Sequence, residues 1–171
     1  MKTLVCAALL LLASAAAFSQ DTHAHSGGKP VTVNLINAQG QGVGTATLTP
    51  AASGVKITLD VKSLPPGEHS IHIHQAAKCE PPDFKSAGAH FDVPGHNHGA
   101  GPAGDIPNFS LIVTANGTAH VTTIAPNVTL GNDEHSVFSN GGTAIVIHAV
   151  AGETGSGAPP RIACGVITKP N

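Results

Sequence analysis

The sequence has few of the residues that bind nucleic acid. It contains no tyrosine or tryptophan and only five phenylalanines, and charged residues make up 11% of its 171 residues. Its 8 basic residues are outnumbered by 10 acidic ones, which leaves a net charge of −2 at pH 7 with neutral histidines. Nucleic-acid-binding proteins instead cluster basic side chains on one face and use aromatic rings as stacking platforms. The composition therefore excludes nucleic acid as a partner.

Long hydrophobic runs are absent beyond the N-terminus. Residues 1–20 combine Lys2, an apolar run through Leu12 and a small-residue end, which is typical of a secretory signal peptide. The run is shorter than the roughly 20 apolar residues that a membrane-spanning helix needs. We predict export, with cleavage between Ala15 and Gln20 and no membrane association afterwards. The short, alanine-rich signal favours the bacterial periplasm, with secretion as the alternative.

Cysteine is scarce as well. Removal of the signal removes Cys6 and leaves Cys79 and Cys164. In an exported protein an even pair predicts a disulfide, the alternative being two free buried thiols. A disulfide would also withdraw both sulfur atoms from metal binding.

The remaining chain shows strand patterns and no helical period. Eight short alternating or β-branched runs stand between turn signals, at 31–37, 43–49, 55–62, 69–74, 109–114, 117–125, 143–150 and 161–168. This spacing predicts an all-β fold, an antiparallel sandwich or barrel. We expect a single domain over 31–171, preceded by a flexible histidine-containing segment at 21–30.

Two long connections interrupt the strands, at 75–107 and 126–142. A structureless connection of this length in a compact domain is usually functional or disordered. The first contains GAHFDVPGHNHGAGPAGDIPN at 88–108, where three histidines and two aspartates lie among glycines and prolines. This composition favours neither helix nor strand, and it is that of a loop folded around one metal ion or two.

Further histidines lie in predicted strands. In HSIHIH, alternation places His72 and His74 on one face and His69 on the other, with two isoleucines, where we interpret it as a hydrogen-bonded structural residue. His148 ends an apolar run. Together with one residue of the 88–108 loop, these histidines would form an all-imidazole site, which suits zinc, copper, iron and nickel, and the affinity order favours Cu²⁺. Taken singly, each is also explained as a surface or structural histidine, and His148 more readily as an edge histidine.

Five segments, in order over nearly the whole mature chain, resemble the copper/zinc superoxide dismutase family: GEHSIHIH (67–74), GAHFDVPGHNHG (88–99), GDIPN (104–108), VIHA (146–149) and RIACGVI (161–167). The resemblance implies an eight-stranded antiparallel Greek-key β-sandwich with long metal-binding loops. It also implies an oxidoreductase with superoxide as substrate, which copper redox cycling converts to O₂ and H₂O₂. Whether the protein is a monomer or a homodimer stays open.

The resemblance also implies roles for single residues. The copper ligands would be His72, His74, His90 and His148. His90 would bridge copper to zinc and exchange a proton during the cycle. The zinc ligands would be His90, His98 and Asp105. Arg161 matches the family's anion-guiding arginine, and the family's disulfide is matched by Cys79 and Cys164.

The sequence departs from the family pattern at the zinc site. Pro102 stands where the family has a further zinc-binding histidine, so three ligands remain where a closed zinc site wants four. His96 would supply the fourth ligand if the loop places it next to the other three, and is otherwise a solvated loop histidine. We therefore expect copper, with zinc as a second metal that depends on His96.

Other departures concern the last loop and the N-terminal segment. Near a position where the family often has an aspartate that supports metal ligands, this chain has Glu153, which either substitutes for it or is an exposed loop residue. Glu153 is the only charged residue between His148 and Arg161, so we expect weak long-range steering of an anion. His23 and His25 form either a copper-capturing tail or a tail without function. These departures leave a competing function, a non-enzymatic copper-binding or storage protein, although storage does not need Arg161.

Overall fold

The computed structural model describes residues 28–93, 101–151 and 159–170. Within these residues the chain forms nine strands, β1 Val31–Asn37, β2 Gly42–Ala51, β3 Gly54–Val61, β4 Gly67–His69, β5 Ile71–His74, β6 Leu111–Val113, β7 Ala119–Ala125, β8 Thr143–His148 and β9 Arg161–Ile167. Single 3₁₀ turns, Lys85–Ala87 and Ser139–Gly141, lie in the two long connections. No helix among the described residues is long and apolar enough to cross a membrane.

Alternation along the strands separates the core from the solvent. In β1, Val31, Val33 and Leu35 are buried while Thr32 and Asn34 are exposed. Strands β2 and β3 alternate in the same way, because successive side chains point to opposite faces of a sheet. The inward-facing valines, leucines and isoleucines form one continuous core inside the curled sheet.

The main sheet has the strand order β5-β8-β9-β1-β2-β3-β7, and the pairs are antiparallel. Strands β1, β2 and β3 follow one another directly, and β9 returns to lie beside β1, which is a Greek-key arrangement. A second, two-stranded sheet pairs β4 with β6. The predicted all-β antiparallel class is confirmed.

The segment 69–74, which we predicted as one strand, is divided. β4 pairs with β6, whereas β5 pairs with β8, so the chain passes from one sheet to the other at Ser70. The Ser70 hydroxyl donates to the carbonyl of Val150 at 3.2 Å, and the Ser70 carbonyl accepts from the His148 amide at 2.9 Å. Alternation alone does not show that the partner strand changes. The division anchors the end of β8 beside the start of β5.

Cys79 and Cys164 form the predicted disulfide, with a Cα–Cα distance of 5.6 Å. It ties the first long loop to β9. Beneath this loop lies a small second core on the outer face of the sheet, made of Phe84, Ala87, Ala144, Val146 and Cys164.

The predicted signal peptide at 1–20, and His23 and His25, lie outside the described residues.

We expect the double variant Cys79→Ser, Cys164→Ser to lower the free energy of unfolding of the metal-free protein. The disulfide closes a loop between residues 85 positions apart, and on the chain-entropy argument it contributes roughly 4 to 5 kcal/mol. Urea denaturation followed by circular dichroism measures the loss, and reduced wild-type protein serves as the matched control. An unchanged urea midpoint in the double variant would show that the bridge does not stabilise the fold.

Candidate metal centre

Three histidines of the candidate site come from the adjacent strands β5 and β8. Ile71 lies opposite Ile147, and both point into the main core. Alternation therefore turns His72 and His74 to the outer face of β5, and His148 to the same outer face of β8. His74 and His148 are fully buried there, and His72 is half-buried.

His90 is added by the first long loop. Beyond its disulfide, this loop runs back along β5 and makes one antiparallel bridge between His74 and His90. The Phe91 amide donates to the carbonyl of Ile73 at 2.8 Å, and the Gln75 amide donates to that of Ala89 at 2.9 Å. The loop sequence indicated neither helix nor strand. Residues 89–91 nevertheless form strand-like hydrogen bonds with the edge of β5.

The structure brings the four predicted copper ligands together. Ligand nitrogens of His72, His74, His90 and His148, one from each ring, all lie within 4.8 Å of one another. Ring centroids are separated by 4.1 Å between His72 and His90 and by 5.5 Å between His74 and His148. The described residues contain no other such group of three or more histidine, cysteine or acidic side chains.

Backbone hydrogen bonds orient two of these rings. Nδ1 of His74 lies 2.9 Å from the carbonyl oxygen of Gly88, and Nδ1 of His148 lies 3.1 Å from that of Pro159. A carbonyl oxygen only accepts, so each Nδ1 carries the proton and each Nε2 presents a lone pair. These two Nε2 atoms are 3.3 Å apart. Two facing lone pairs at this distance repel each other unless a cation lies against both.

The other two rings complete the same donor set. Nδ1 of His72 is buried and has no hydrogen-bond partner, which is costly for a polar atom unless it binds something. Nδ1 of His90 donates to Oδ1 of Asp105 at 2.6 Å, which leaves Nε2 of His90 as a lone pair. Four imidazole nitrogens with available lone pairs fit a copper or zinc ion.

The surroundings keep three of these rings, those of His72, His74 and His148, neutral. Burial, followed by the charges of His90 and His148, lowers the pKa of His72 to about 3. Burial also lowers the pKa of His74 to about 3, against the hydrogen bond to Gly88, and lowers the pKa of His148. At neutral pH no proton competes with a metal ion for the lone pairs of these three rings.

The predicted zinc ligands are only partly covered by the described residues. His90 and Asp105 meet directly, and their side chains are 31% and 29% exposed. Pro102, where the family pattern has a histidine, contributes its carbonyl, which accepts from the Asp105 amide at 3.0 Å. His96 and His98 lie outside the described residues, as does Glu153.

A register shift places Arg161 beside the histidines. Ile147 pairs with Ala163, but His148 pairs with Arg161, so Ile162 is the extra residue of a β-bulge. Bulges often re-aim side chains next to functional sites. The bulge leaves Arg161 directly opposite His148, on the outer face of the sheet. Its guanidinium donates from Nη1 to Phe84 O and from Nη2 to Gly88 O, each at 2.7 Å.

A groove of about 420 Å³ opens beside this arginine, lined by Pro82, Asp83, Lys85, Pro159, Pro160 and Arg161. The exposed Lys85 forms an ion pair with Asp83 at 2.9 Å. Lys85 is not among the residues predicted from the sequence, because charge near the site was expected only from the loop that precedes Arg161. The predicted disulfide could have indicated it. Lys85 follows Cys79 in the same loop and Arg161 precedes Cys164 by three residues, so the bridge brings the two basic side chains near each other.

His69 lies behind the site, as a buried and hydrogen-bonded residue. Its Nδ1 is 3.0 Å from the carbonyl oxygen of His148, and its Nε2 is 2.8 Å from that of Pro65. It therefore links the end of β8 to the turn before β4. This agrees with its interpretation as a structural residue.

A curled antiparallel sheet with converging imidazoles on its outer face defines a metalloprotein. The family model described as copper/zinc superoxide dismutase (SODC) matches residues 43–167, and the chain belongs to this family. It is 44% identical to superoxide dismutase (Cu-Zn) 2 of Aquifex aeolicus over 174 residues, which covers 95% of this chain and 96% of that protein.

Solved structures agree with this assignment. A SOD-like protein from Bacillus subtilis is 31% identical with a TM-score of 0.70, and the match covers 79% of this chain and 96% of that one. The Cu/Zn superoxide dismutase from Brucella abortus is 27% identical with a TM-score of 0.63, over 81% of this chain and 99% of that one. The predicted family is thereby confirmed.

We expect the metal-free protein to lose stability as the pH falls below about 6.5. The folded-state pKa of His74 lies near 3, below the ordinary value of about 6.5, so the unfolded chain binds more protons in this window. Each such histidine contributes a slope of up to about 1.4 kcal/mol per pH unit. Urea midpoints between pH 7 and pH 4 measure it.

The variant His74→Gln should reduce the slope of the unfolding free energy against pH, because the unfolded chain would take up as much as one proton fewer. The exposed His120 provides the matched control, since His120→Gln should leave the slope as it is. Equal slopes in both variants would show that His74 does not contribute to acid sensitivity.

Proposed function

We propose that the protein is an exported superoxide dismutase that converts two superoxide anions and two protons to O₂ and H₂O₂. Copper would be held by His72, His74, His90 and His148. The converging ring nitrogens carry this proposal, above all the facing lone pairs of His74 and His148 at 3.3 Å. Membership of the copper/zinc superoxide dismutase family supports it independently.

When bound, copper supplies a one-electron couple that takes an electron from one superoxide and returns it to the next. The protein's contribution is to fix the positions of the ligand nitrogens. His74 and His148 lie on strands and are oriented by backbone carbonyls, so their Nε2 atoms keep one direction. This rigidity would let His74 and His148 remain ligands while the charge of the metal changes.

His90 differs from the other three ligands in ways that suit proton exchange. It comes from the loop, its side chain is about a third exposed, and its Nδ1 donates to the carboxylate of Asp105. We assign to its Nε2 the uptake of a proton, for which this nitrogen would have to release the metal, and the return of that proton to the nascent peroxide. An imidazole is suited to this role near neutral pH.

A second metal, zinc, is assigned to the side of His90 that faces Asp105. These two residues already lie in contact, and His98 completes the three ligands of the family pattern. Because Pro102 has no side-chain donor, His96 is the candidate for the fourth position. The hydrogen bond of 2.6 Å between Nδ1 of His90 and Oδ1 of Asp105 would be replaced by the zinc ion, and the Nδ1 proton would leave to solvent.

Export, with the bacterial periplasm as destination, is also part of the proposal. The disulfide of Cys79 and Cys164 requires an oxidising compartment. The N-terminal 20 residues have the pattern of a signal peptide.

The first test loads the purified protein with copper and zinc, and measures both metals per chain together with superoxide dismutation. We expect one copper and high activity in the wild type, and a firmer hold on zinc in Pro102→His because it restores an imidazole donor. One copper without activity would contradict dismutation and favour copper storage. Absence of bound copper would contradict the assigned ligands.

Charge in the groove should set the rate of anion capture. We expect Lys85→Ala to lower the second-order rate with superoxide several-fold at low salt and Asp83→Asn to raise it, since the two residues carry opposite charges at the entrance. These effects should fade towards 1 M salt, where the Debye length is about 3 Å. Stopped-flow or pulse-radiolysis rates provide the measurement.

The control for this experiment is Lys56→Ala, an equal charge change on the distant strand β3. It should leave the rate nearly unchanged. If it changes the rate as much as Lys85→Ala does, net charge rather than the groove governs capture.

A further inference from the structure

One backbone carbonyl connects the arginine to the metal-binding histidines. The oxygen of Gly88 accepts a hydrogen bond from Nδ1 of His74 at 2.9 Å and another from Nη2 of Arg161 at 2.7 Å. A carbonyl oxygen has two lone pairs, and both are occupied here. Arg161 therefore acts on the same atom that sets the tautomer and direction of His74.

The second branch of the guanidinium is anchored independently of the metal site. Nη1 of Arg161 donates to the carbonyl of Phe84 at 2.7 Å. Phe84 is fully buried in the small outer core with Val146 and Cys164, and has a left-handed backbone, with φ of 53°. The arginine thus spans a rigid point of the loop and the carbonyl that faces His74.

The backbone around Gly88 is held by hydrogen bonds on both sides, since the Gly88 amide donates to the carbonyl of Lys85 at 3.0 Å and the Ala89 carbonyl accepts from the Gln75 amide at 2.9 Å. The φ of Gly88, 78°, is in the left-handed region, and a Cβ added here would lie 2.8 Å from the side chain of Gln75. The following residue, Ala89, is exposed. On this backbone, the Gly88 carbonyl oxygen is additionally held by its two hydrogen-bond donors, Nδ1 of His74 and Nη2 of Arg161.

We propose that Arg161 is a positioning residue for the metal centre, which holds the Gly88 carbonyl in place and through it orients His74. The inference rests on the proposed function only in naming copper as the metal. It gives Arg161 a role additional to attraction of the anion. A charge-assisted hydrogen bond to the carbonyl restrains it more strongly than a neutral donor would.

The planar fork of arginine is needed for this role. Its two nitrogens reach two carbonyls at once, whereas a lysine ammonium is a single point donor on a flexible stem. Arg161→Lys therefore keeps the positive charge and loses the double anchor. Comparison of Arg161→Lys with Arg161→Ala separates orientation from charge.

The first measurement is Cu²⁺ binding, by competition with a chelator, together with the electron paramagnetic resonance spectrum of the bound ion. Loss of a hydrogen-bond partner that orients a metal ligand typically costs 10- to 100-fold in metal affinity. We expect both Arg161 variants to bind Cu²⁺ about 10-fold or more weakly and to show altered copper hyperfine splitting. Added guanidinium ion should restore the wild-type spectrum to Arg161→Ala.

A matched control removes a positive charge from the same loop without touching Gly88. Lys78 is exposed, and Lys78→Ala should leave Cu²⁺ affinity and spectrum as in the wild type. Wild-type binding by Arg161→Lys would overturn the proposal, since charge alone would then suffice. Wild-type binding by both Arg161 variants would overturn it as well.

A second measurement does not depend on copper. In metal-free protein, ¹⁵N–¹H NMR detects the proton on Nδ1 of His74, and its exchange with solvent should accelerate at least about 10-fold in Arg161→Ala as the shared carbonyl loosens. Amides of the main core, such as Ile145, report whether the fold is intact. An unchanged exchange rate would refute the positioning role, whereas failure of wild-type protein to bind copper would refute the proposed function instead.

Discussion

The metal centre depends on the loop that the Cys79–Cys164 disulfide holds against the outer face of β5, β8 and β9. The strands alone supply three imidazoles. The loop adds His90 as a fourth and contributes the Gly88 carbonyl that orients His74. The same loop provides both carbonyls that anchor Arg161. A site of this kind is pre-organised because its parts are rigid for reasons of packing, in particular the burial of Phe84 beneath the loop.

Burial and hydrogen bonding act together on the imidazoles. Burial disfavours protonation of His72, His74 and His148, so these three rings are neutral at physiological pH. Carbonyl acceptors at Gly88 and Pro159 then decide which nitrogen of His74 and of His148 keeps the proton. The remaining lone pairs converge on one point. Without a cation this arrangement is repulsive, and a bound metal ion would relieve that repulsion.

Charged side chains near the site are distributed differently from what the last loop alone indicates. That loop carries no basic residue, and on this ground we expected little steering. The tertiary structure places Lys85, from the disulfide loop, in the groove beside Arg161, with Asp83 as its opposing charge. The β-bulge at Ile162 completes the arrangement because it leaves Arg161 opposite His148. Charge at the entrance therefore comes from a segment remote in sequence.

The sequence by itself determined the all-β class through local alternation and the disulfide through the even cysteine count of the mature chain, and its resemblance to the copper/zinc superoxide dismutase family identified the clustered histidines. It did not reveal the division of 69–74 into two strands, since a change of pairing partner at Ser70 leaves no mark on alternation. Nor did it reveal the carbonyl shared by His74 and Arg161, or the position of Lys85. Backbone carbonyls look alike in every residue, and only the folded chain decides which donors reach them. The lone-pair directions that make the cluster a metal site were thus decided by tertiary structure, through hydrogen bonds between segments far apart in the chain.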